Sequence, residues 1–166
     1  MKTDTIANGD LATLADLIDG IEVAMLTTRA VDGSLVSRPL QTLKADASGD
    51  LCFFTAADSC KVDELLADAR VNLAYAHPGQ QRYISVRGTA SISRDRALIE
   101  ELWSLAQQAF FPGGKDDPNL VVLRVRVRDA DYWEAPGNLV SRALEITRAI
   151  VSDEPGDLGE HGKLVP

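Results

Sequence analysis

The most regular segment of the chain is residues 123–128, in which aliphatic residues alternate strictly with arginine (LRVRVR). A side-chain period of two is that of a β-strand whose two faces meet different surroundings. We therefore expect Leu123, Val125 and Val127 to face a core, and the three arginines to face outward. The fold must therefore contain at least one amphipathic strand.

Six other segments carry strand-like patterns and are mostly separated by turn residues. They cover residues 23–28, 35–44, 51–55, 71–76, 83–92 and 131–135. Asp32-Gly33 predicts a hairpin between the first two. Pro39 places the second at a sheet edge or a bulge, because proline cannot donate to a strand ladder. Seven short strands joined mainly by turns favour an antiparallel barrel over a doubly wound parallel sheet.

Helical spacing of apolar residues predicts helices over residues 10–18, 61–68 and 95–110, the last of them ended by Pro112-Gly113-Gly114. We expect a single, mainly β domain with flanking helices over residues 1–152. From residue 153 onward the composition shifts to acidic residues, proline and glycine. Residues 153–166 are therefore predicted to be a loosely ordered tail or a segment that docks on a partner.

The charge balance excludes a general surface for nucleic acid. The chain has 17 lysine and arginine residues against 25 aspartate and glutamate residues, a net charge of -8. Any phosphate must therefore be held at a local cationic site. Two cysteines, Cys52 and Cys60, are too few for a disulfide framework and lack metal-ligand spacing. With no signal-like or membrane-spanning apolar run, we expect a cytoplasmic protein that binds neither membrane nor nucleic acid.

Two segments carry candidate binding chemistry. At the predicted start of the second helix, free backbone N–H groups would combine with Thr55, Ser59 and Lys61 into a pocket for one phosphate. The alternative is an ordinary capped helix with a solvent-exposed lysine. Arg38 offers a planar set of donors beside Pro39, whose missing N–H frees a neighbouring carbonyl group. The alternative there is a solvated strand arginine.

In their order along residues 11–135, these segments resemble the FMN-binding split barrels related to pyridoxamine 5'-phosphate oxidase, in particular the general stress protein 26 subgroup. The resemblance implies an antiparallel split β-barrel of six to seven strands. The segments that carry it are MLTT (25–28), DG (32–33), SRPL (37–40), FFT (53–55), SCK (59–61), GTA (88–90), FPGGKDDP (111–118) and YW (132–133).

The resemblance also implies a homodimer with two FMN sites between the barrels. Arg38 and the backbone of Pro39 and Leu40 would face the pyrimidine side of the flavin, and Phe54 and Thr55 would line it. Ser59 and Lys61 would hold the phosphate. Cys60 stands where close relatives often carry a second basic residue. Trp133 and the Phe110–Phe111 pair would cover the flavin from the partner chain, or else pack in the core or the dimer interface.

One departure bears on activity. Pyridoxamine phosphate oxidases continue after the late tryptophan into a segment with arginine and histidine, whereas Trp133 is followed here by EAPGNL. We therefore do not expect oxidation of pyridoxamine phosphate. The expected function is FMN-dependent electron transfer to an unidentified small molecule, with no catalytic side chain and no metal. The alternatives are a non-catalytic flavin- or ligand-binding dimer with a stress or sensing role, and a barrel that uses another flavin or a deazaflavin.

Overall fold

The computed structural model describes residues 5–6, 10–45, 49–134 and 160–164. Three α-helices and a short 3-10 helix are joined to nine strands of one sheet. The helices are α1 (Asp10–Ile18), α2 (Cys60–Ala67) and α3 (Arg96–Leu102), and the 3-10 helix is Leu105–Ala109. The strands are β1 (Thr5–Ile6), β2 (Val23–Arg29), β3 (Leu35–Gln41), β4 (Lys44–Ala45), β5 (Asp50–Ala56), β6 (Arg70–His77), β7 (Arg82–Ser93), β8 (Leu120–Glu134) and β9 (Glu160–Leu164).

Antiparallel pairing carries the sheet around a barrel. β3 pairs with β2, β2 with β6, β6 with β7, and β7 with β8. The first half of β8 pairs with β5, and its last five residues pair with β9. β4 pairs with β5 and follows β3 after a corner of two residues. The covalent chain at this corner therefore connects β3, at one end of the series of paired strands, with β4 and β5 at the other end. These pairings confirm the expected antiparallel barrel.

The barrel is split between β3 and β5. Within the described residues no ladder joins these two strands, and the corner is held instead by Leu43, whose backbone N–H donates to the Cys52 carbonyl at 2.9 Å. β3 ends the main path of the sheet, as the proline at position 39 predicts. α2 follows β5 directly, so the same opening lies between an edge strand and a helix N-terminus.

Two apolar clusters fill the fold. The larger one lies inside the barrel and is closed by α1 through residues such as Leu14 and Ile18. The arginine–aliphatic alternation is confirmed, since Leu123, Val125 and Val127 are buried in that cluster. The smaller cluster lies on the outer side of β5 and β8 against α3. Its members include Cys52, Phe54, Ile99, Leu120 and Val122.

Three predicted boundaries differ from the structure. Residues 35–44 form two strands rather than one, because the chain turns at residues 42–43 to reach β5. The helix expected over 95–110 ends at Leu102: Trp103 adopts an extended backbone, and its ring packs on Phe54 with centroids 5.9 Å apart. Residues 123–128 and 131–135 are not separate strands. They lie in β8, with an irregularity opposite Arg87 and Gly88.

Part of the predicted tail is ordered in the sheet. Residues 160–164 form β9 and pair with both β8 and β1, so for these five residues a loosely ordered tail is not observed. β9 can add to the sheet there because residues 130–134 of β8 pair with β7 on one side only, and their backbone groups on the other side are available for pairing. The proposed boundary at 152–153 lies outside the described residues. No helix of the described chain is long and apolar enough to cross a membrane.

Candidate functional site

The inward faces of three strands place polar groups at the split of the barrel. Thr28 and Thr55 are almost fully buried, and Arg38 of β3 is half-buried between them and solvent. Each stands on the same face of its strand as core residues, because side chains alternate along a strand. Leu26, which is fully buried, is the register partner of Arg38. Arg38 therefore extends toward the barrel mouth rather than into bulk solvent.

A buried glutamate fixes the Arg38 guanidinium. Nη1 of Arg38 donates to Oε2 of Glu64 at 2.7 Å, and Nη2 donates to Oε1 at 3.2 Å. Thr28 joins the pair, since its hydroxyl donates to Oε2 of Glu64 at 2.5 Å and accepts from Nη1 of Arg38 at 3.0 Å. The hydrogen bonds from Arg38 and then from Thr28 lower the pKa of Glu64. The carboxylate is held ionised, and the arginine is held in one orientation.

Lys61 lies in a second polar cluster at the start of α2. Its ammonium donates to Oγ1 of Thr55 at 3.0 Å, and the Thr55 and Ser59 hydroxyl oxygens are 3.5 Å apart. Burial, followed by the nearby charge of Arg38, lowers the pKa of Lys61. The expected alternative of a fully solvated lysine is therefore not observed. An anion that accepted a hydrogen bond from Lys61 would raise this pKa again, because a nearby negative charge favours the charged form of the lysine.

The N-terminus of α2 adds backbone donors to this cluster. Ser59 occupies the N-cap position, but its side chain makes no capping hydrogen bond. First-turn N–H groups of a helix have no partner within the helix, so those of Cys60 and Lys61 are available to a ligand. With Glu64 neutralising one cation, the two clusters together carry one net positive charge. The arrangement suits one phosphate or carboxylate group.

The phenylalanine candidates lie on the outer side of β5, away from the polar clusters. Phe54 points to the side of β5 opposite Thr55, where it packs against Trp103 and, edge to face at 6.0 Å, against Phe111. Both phenylalanines thus belong to the smaller apolar cluster, and Phe110 beside them is largely exposed. Their contact with a flavin stays a prediction.

Of the remaining sequence candidates, Pro39, Leu40 and Cys60 belong to the elements that border the opening, and Trp133 does not. Pro39 is exposed on the edge strand, Leu40 packs partly on the barrel core, and Cys60 is exposed at the start of α2. Trp133 is not brought together with Arg38 and Lys61 within one chain. It is 45% exposed on the outer face of β8, where its register partner on β7 is Tyr83.

Sequence reasoning missed Glu64 and Thr28. The available signal was the spacing of Lys61 and Glu64, which places both on one face of a helix. Nothing local in the sequence shows that Arg38, 26 residues earlier, reaches that face. Among the described residues, no group of acidic, histidine or cysteine side chains has the arrangement of a metal site.

Comparisons with known proteins agree with this fold. Residues 9–157 match the family model described as pyridoxamine 5'-phosphate oxidase like. The chain is 26% identical to protein bli-3 of Neurospora crassa, over 96% of the chain and 81% of that protein. It is 30% identical to general stress protein 26 of Bacillus subtilis, over 55% of the chain and 66% of that protein. The crystal structure of the general stress FMN/FAD binding protein from Xanthomonas citri superposes with a TM-score of 0.68, at 27% identity, over 80% of this chain and 94% of that one.

Proposed function

The chain belongs to the pyridoxamine 5'-phosphate oxidase-like family, and we propose that it is a flavoprotein that binds FMN at the split of its barrel. One observation carries the proposal: Thr55, Ser59 and Lys61 gather at the N-terminus of α2, and Arg38 binds Glu64 of the same helix. A relative from Xanthomonas citri is described as FMN/FAD binding. The cluster provides the local cationic site that an acidic chain needs for a phosphorylated cofactor.

The phosphate would be held by Lys61, by the hydroxyl groups of Thr55 and Ser59, and by the first N–H groups of α2. An ammonium ion and a helix N-terminus both favour an anion, and charge-assisted hydrogen bonds are stronger than neutral ones. Cys60 supplies a backbone donor but no positive charge. We therefore expect a single lysine to provide most of the electrostatic attraction for the phosphate.

Arg38 would face the flavin ring, together with the backbone of Pro39 and Leu40. Bound FMN supplies hydride and electron transfer chemistry. The contribution of the chain is a guanidinium that Glu64 and Thr28 hold in place before any ligand arrives. Donors with fixed orientation stabilise negative charge that develops on a ligand without a cost of reorganisation.

We propose that the protein is a homodimer. The outer face of the sheet exposes Val23 and Met25 on β2, and Tyr83 and Trp133 on neighbouring β7 and β8. Large exposed apolar groups on a single sheet face are typical of an interaction surface. A second copy on this face would bring the partner's Trp133 toward a flavin, as the resemblance implies. Thus the dimer would complete a site that one chain leaves open.

The activity that we propose is oxidoreduction of a small molecule. Among the titratable side chains at the described part of the split, Arg38 and Glu64 bind each other through both carboxylate oxygens, Lys61 donates to Thr55, and Cys60 is exposed. Proton transfer by a protein side chain is thus not part of the proposed chemistry. The same observation supports the second candidate, a flavin-binding protein without turnover. Oxidation of pyridoxamine phosphate is not proposed, because the segment after Trp133 lacks the arginine and histidine of that enzyme.

We propose that the protein works in the cytoplasm. Cys60 is exposed and Cys52 is buried, and the described residues contain no disulfide that joins them. Cysteines outside disulfides fit a compartment that keeps thiols reduced.

Fluorescence titration tests FMN binding directly. We expect saturable quenching of FMN emission by the wild-type protein. Lys61→Ala should weaken FMN binding about 10- to 100-fold, since a hydrogen bond to a charged group contributes about 1.5–3 kcal/mol. Lys115→Ala is the matched control, because Lys115 only pairs loosely with the exposed Glu100, at 3.5 Å.

Other ligands show what is being recognised. Riboflavin lacks the phosphate, so its affinity should be equal in the wild type and in Lys61→Ala. Titrations with FAD and with a deazaflavin test the alternative cofactors. Absence of saturable binding for every flavin contradicts the proposal. Consumption of NADH or NADPH with oxygen or a quinone then separates an oxidoreductase from the flavin-binding alternative.

A further inference from the structure

We propose that the outer face of β8 forms a second ligand site, for a small multivalent anion such as a phosphorylated or polycarboxylate metabolite. A groove of about 480 Å³ lies there, within the size range of small-molecule sites. Six of its eight lining residues have polar or charged side chains, namely Asp50, Thr89, Ser91, Arg124, Arg126 and Arg128. None of these residues takes part in the flavin site proposed above.

The groove is remote from the split of the barrel. Asp50 begins β5 and is the register partner of Arg126, whereas Thr55 lies near the other end of the same strand. At about 3.3 Å per residue, the two ends of this seven-residue strand are roughly 20 Å apart. Asp50 and Thr55 also point to opposite faces of β5, because their positions differ by an odd number. One small ligand cannot occupy both sites.

A buried carboxylate positions two of the arginines. Asp50 is only 8% exposed. One of its oxygens accepts a close hydrogen bond from Nη2 of Arg124, and the other lies 3.4 Å from Nε of Arg126. Holding a guanidinium by one edge leaves its other N–H groups free to bind a ligand. Asp50 therefore orients the two guanidinium groups and leaves most of their N–H donors available to a ligand.

The donors left over are numerous. Arg126 and Arg128 are largely exposed, and each engages the described part of the chain through Nε alone, Arg128 toward Asp129 at 3.1 Å. Their terminal nitrogens therefore carry eight N–H groups without a partner there, four for each guanidinium. Thr89 and Ser91, on the adjacent strand, add hydroxyl groups to the same lining.

The balance of charge indicates the class of ligand. The lining holds three arginines and one carboxylate, and a second carboxylate, that of Asp129, pairs with Arg128 beside it, in a chain whose net charge is -8. A singly charged anion competes poorly with Asp50 for these arginines, whereas phosphate or several carboxylates can contact two or three guanidinium groups together. The strongly acidic remainder of the surface repels extended polyanions. A small and highly charged anion therefore fits best.

Isothermal titration with inorganic pyrophosphate and with citrate tests the site at low ionic strength, where charge pairs are least screened. We expect saturable binding of at least one of these probes. The double substitution Arg126→Gln with Arg128→Gln should weaken that binding at least tenfold. Both side chains are exposed, so the variant should keep the unfolding midpoint of the wild type. Arg96→Gln is the matched control, because Arg96 is an exposed arginine that pairs with Asp116 and does not line the groove.

Lys61→Ala separates this site from the flavin site. This variant removes the cation of the proposed phosphate pocket, and it should retain the pyrophosphate binding that the double substitution at Arg126 and Arg128 weakens. The proposal is overturned if neither probe binds saturably, if the double variant binds like the wild type, or if Lys61→Ala removes the binding. A preference for pyrophosphate points to a phosphorylated ligand, and a preference for citrate points to a carboxylate ligand. Because no flavin is used, the outcome does not depend on the proposed FMN binding.

Discussion

Glu64 of α2 binds Arg38 of β3 through both carboxylate oxygens, across the split between an edge strand and a helix. The side chain of Glu64 is 11% exposed and that of Arg38 is 21% exposed. Within the described residues no ladder joins β3 to β5, and this pair connects β3 to the helix that follows β5. It also determines the direction in which the Arg38 guanidinium points before a ligand arrives.

Replacement of Glu64 by glutamine should destabilise the fold by about 2 kcal/mol, since it leaves a partly buried arginine without its counter-ion. Urea unfolding at pH 7 measures the change. The matched control is Glu101→Gln, which alters an exposed pair with Lys44 and should cost under about 1 kcal/mol. Equal losses for the two variants would mean that the Arg38–Glu64 pair has no special role in stability.

The same pair predicts the direction of the acid response. The pKa of Glu64 is lowered in the folded protein from its ordinary 4.5, so the ionised pair stabilises the fold above about pH 4.5. This contribution is lost as the pH falls through the lower folded value. Between pH 7 and pH 3, the free energy of unfolding should therefore fall more steeply for the wild type than for Glu64→Gln. Parallel curves would contradict the assignment.

The buried phenol of Tyr75 predicts that the fold loses stability at alkaline pH. Burial raises its pKa from 10.0 to about 12. The neutral phenol therefore stabilises the fold below pH 10, and that contribution is lost as the pH rises from 10 to 12. Tyr75→Phe should cost about 1 kcal/mol at pH 7, because the hydrogen bond of 3.1 Å with Thr42 is lost, and it should flatten the unfolding curve above pH 10. A spectroscopic titration of tyrosinate gives an independent measurement.

Gly88 is required by the close approach of β7 and β8. A Cβ at this position would lie 2.6 Å from the carbonyl oxygen of Arg126 and 2.7 Å from a methyl group of Val125. Gly88→Ala should therefore lower stability by about 2 kcal/mol or more, as over-packing of a core does. Gly79→Ala is the control, since its Cβ would meet only the His77 ring, at 3.5 Å. Thermal unfolding of both variants measures the difference.

Local patterns predicted most of the strands, because burial inside a barrel imposes a period of two on each of them. They failed where tertiary contacts decide the local conformation. Trp103 leaves α3 to pack on Phe54, although the helical spacing of leucines continues past it. β9 could not be predicted, since pairing with β8 depends on which edge the finished sheet leaves open.

The candidate site shows the same limit. Lys61 and Thr55 are six residues apart and belong to one strand-to-helix connection, so their contact follows from local sequence. The structure places Arg38 at the opening, and its partner Glu64 was not predicted. Glu64 is read locally as one of several acidic residues on a short helix, and only the closure of the barrel places it against Arg38.

Met25→Glu should convert the proposed dimer into a monomer. Met25 is 41% exposed on the outer sheet face, beside Val23 on its own strand and opposite Pro39 and Ala74 on the two neighbouring strands. In a dimer a carboxylate here would be buried twice about the symmetry axis, and burying an unpaired charge costs several kcal/mol. In the single chain the same carboxylate stays hydrated, so the fold should persist.

Light scattering after gel filtration measures the mass of the Met25→Glu protein, and circular dichroism checks its fold. Val31→Glu, in the exposed β2–β3 turn, should leave the dimer intact, whereas a dimeric Met25→Glu protein would place the interface on another face.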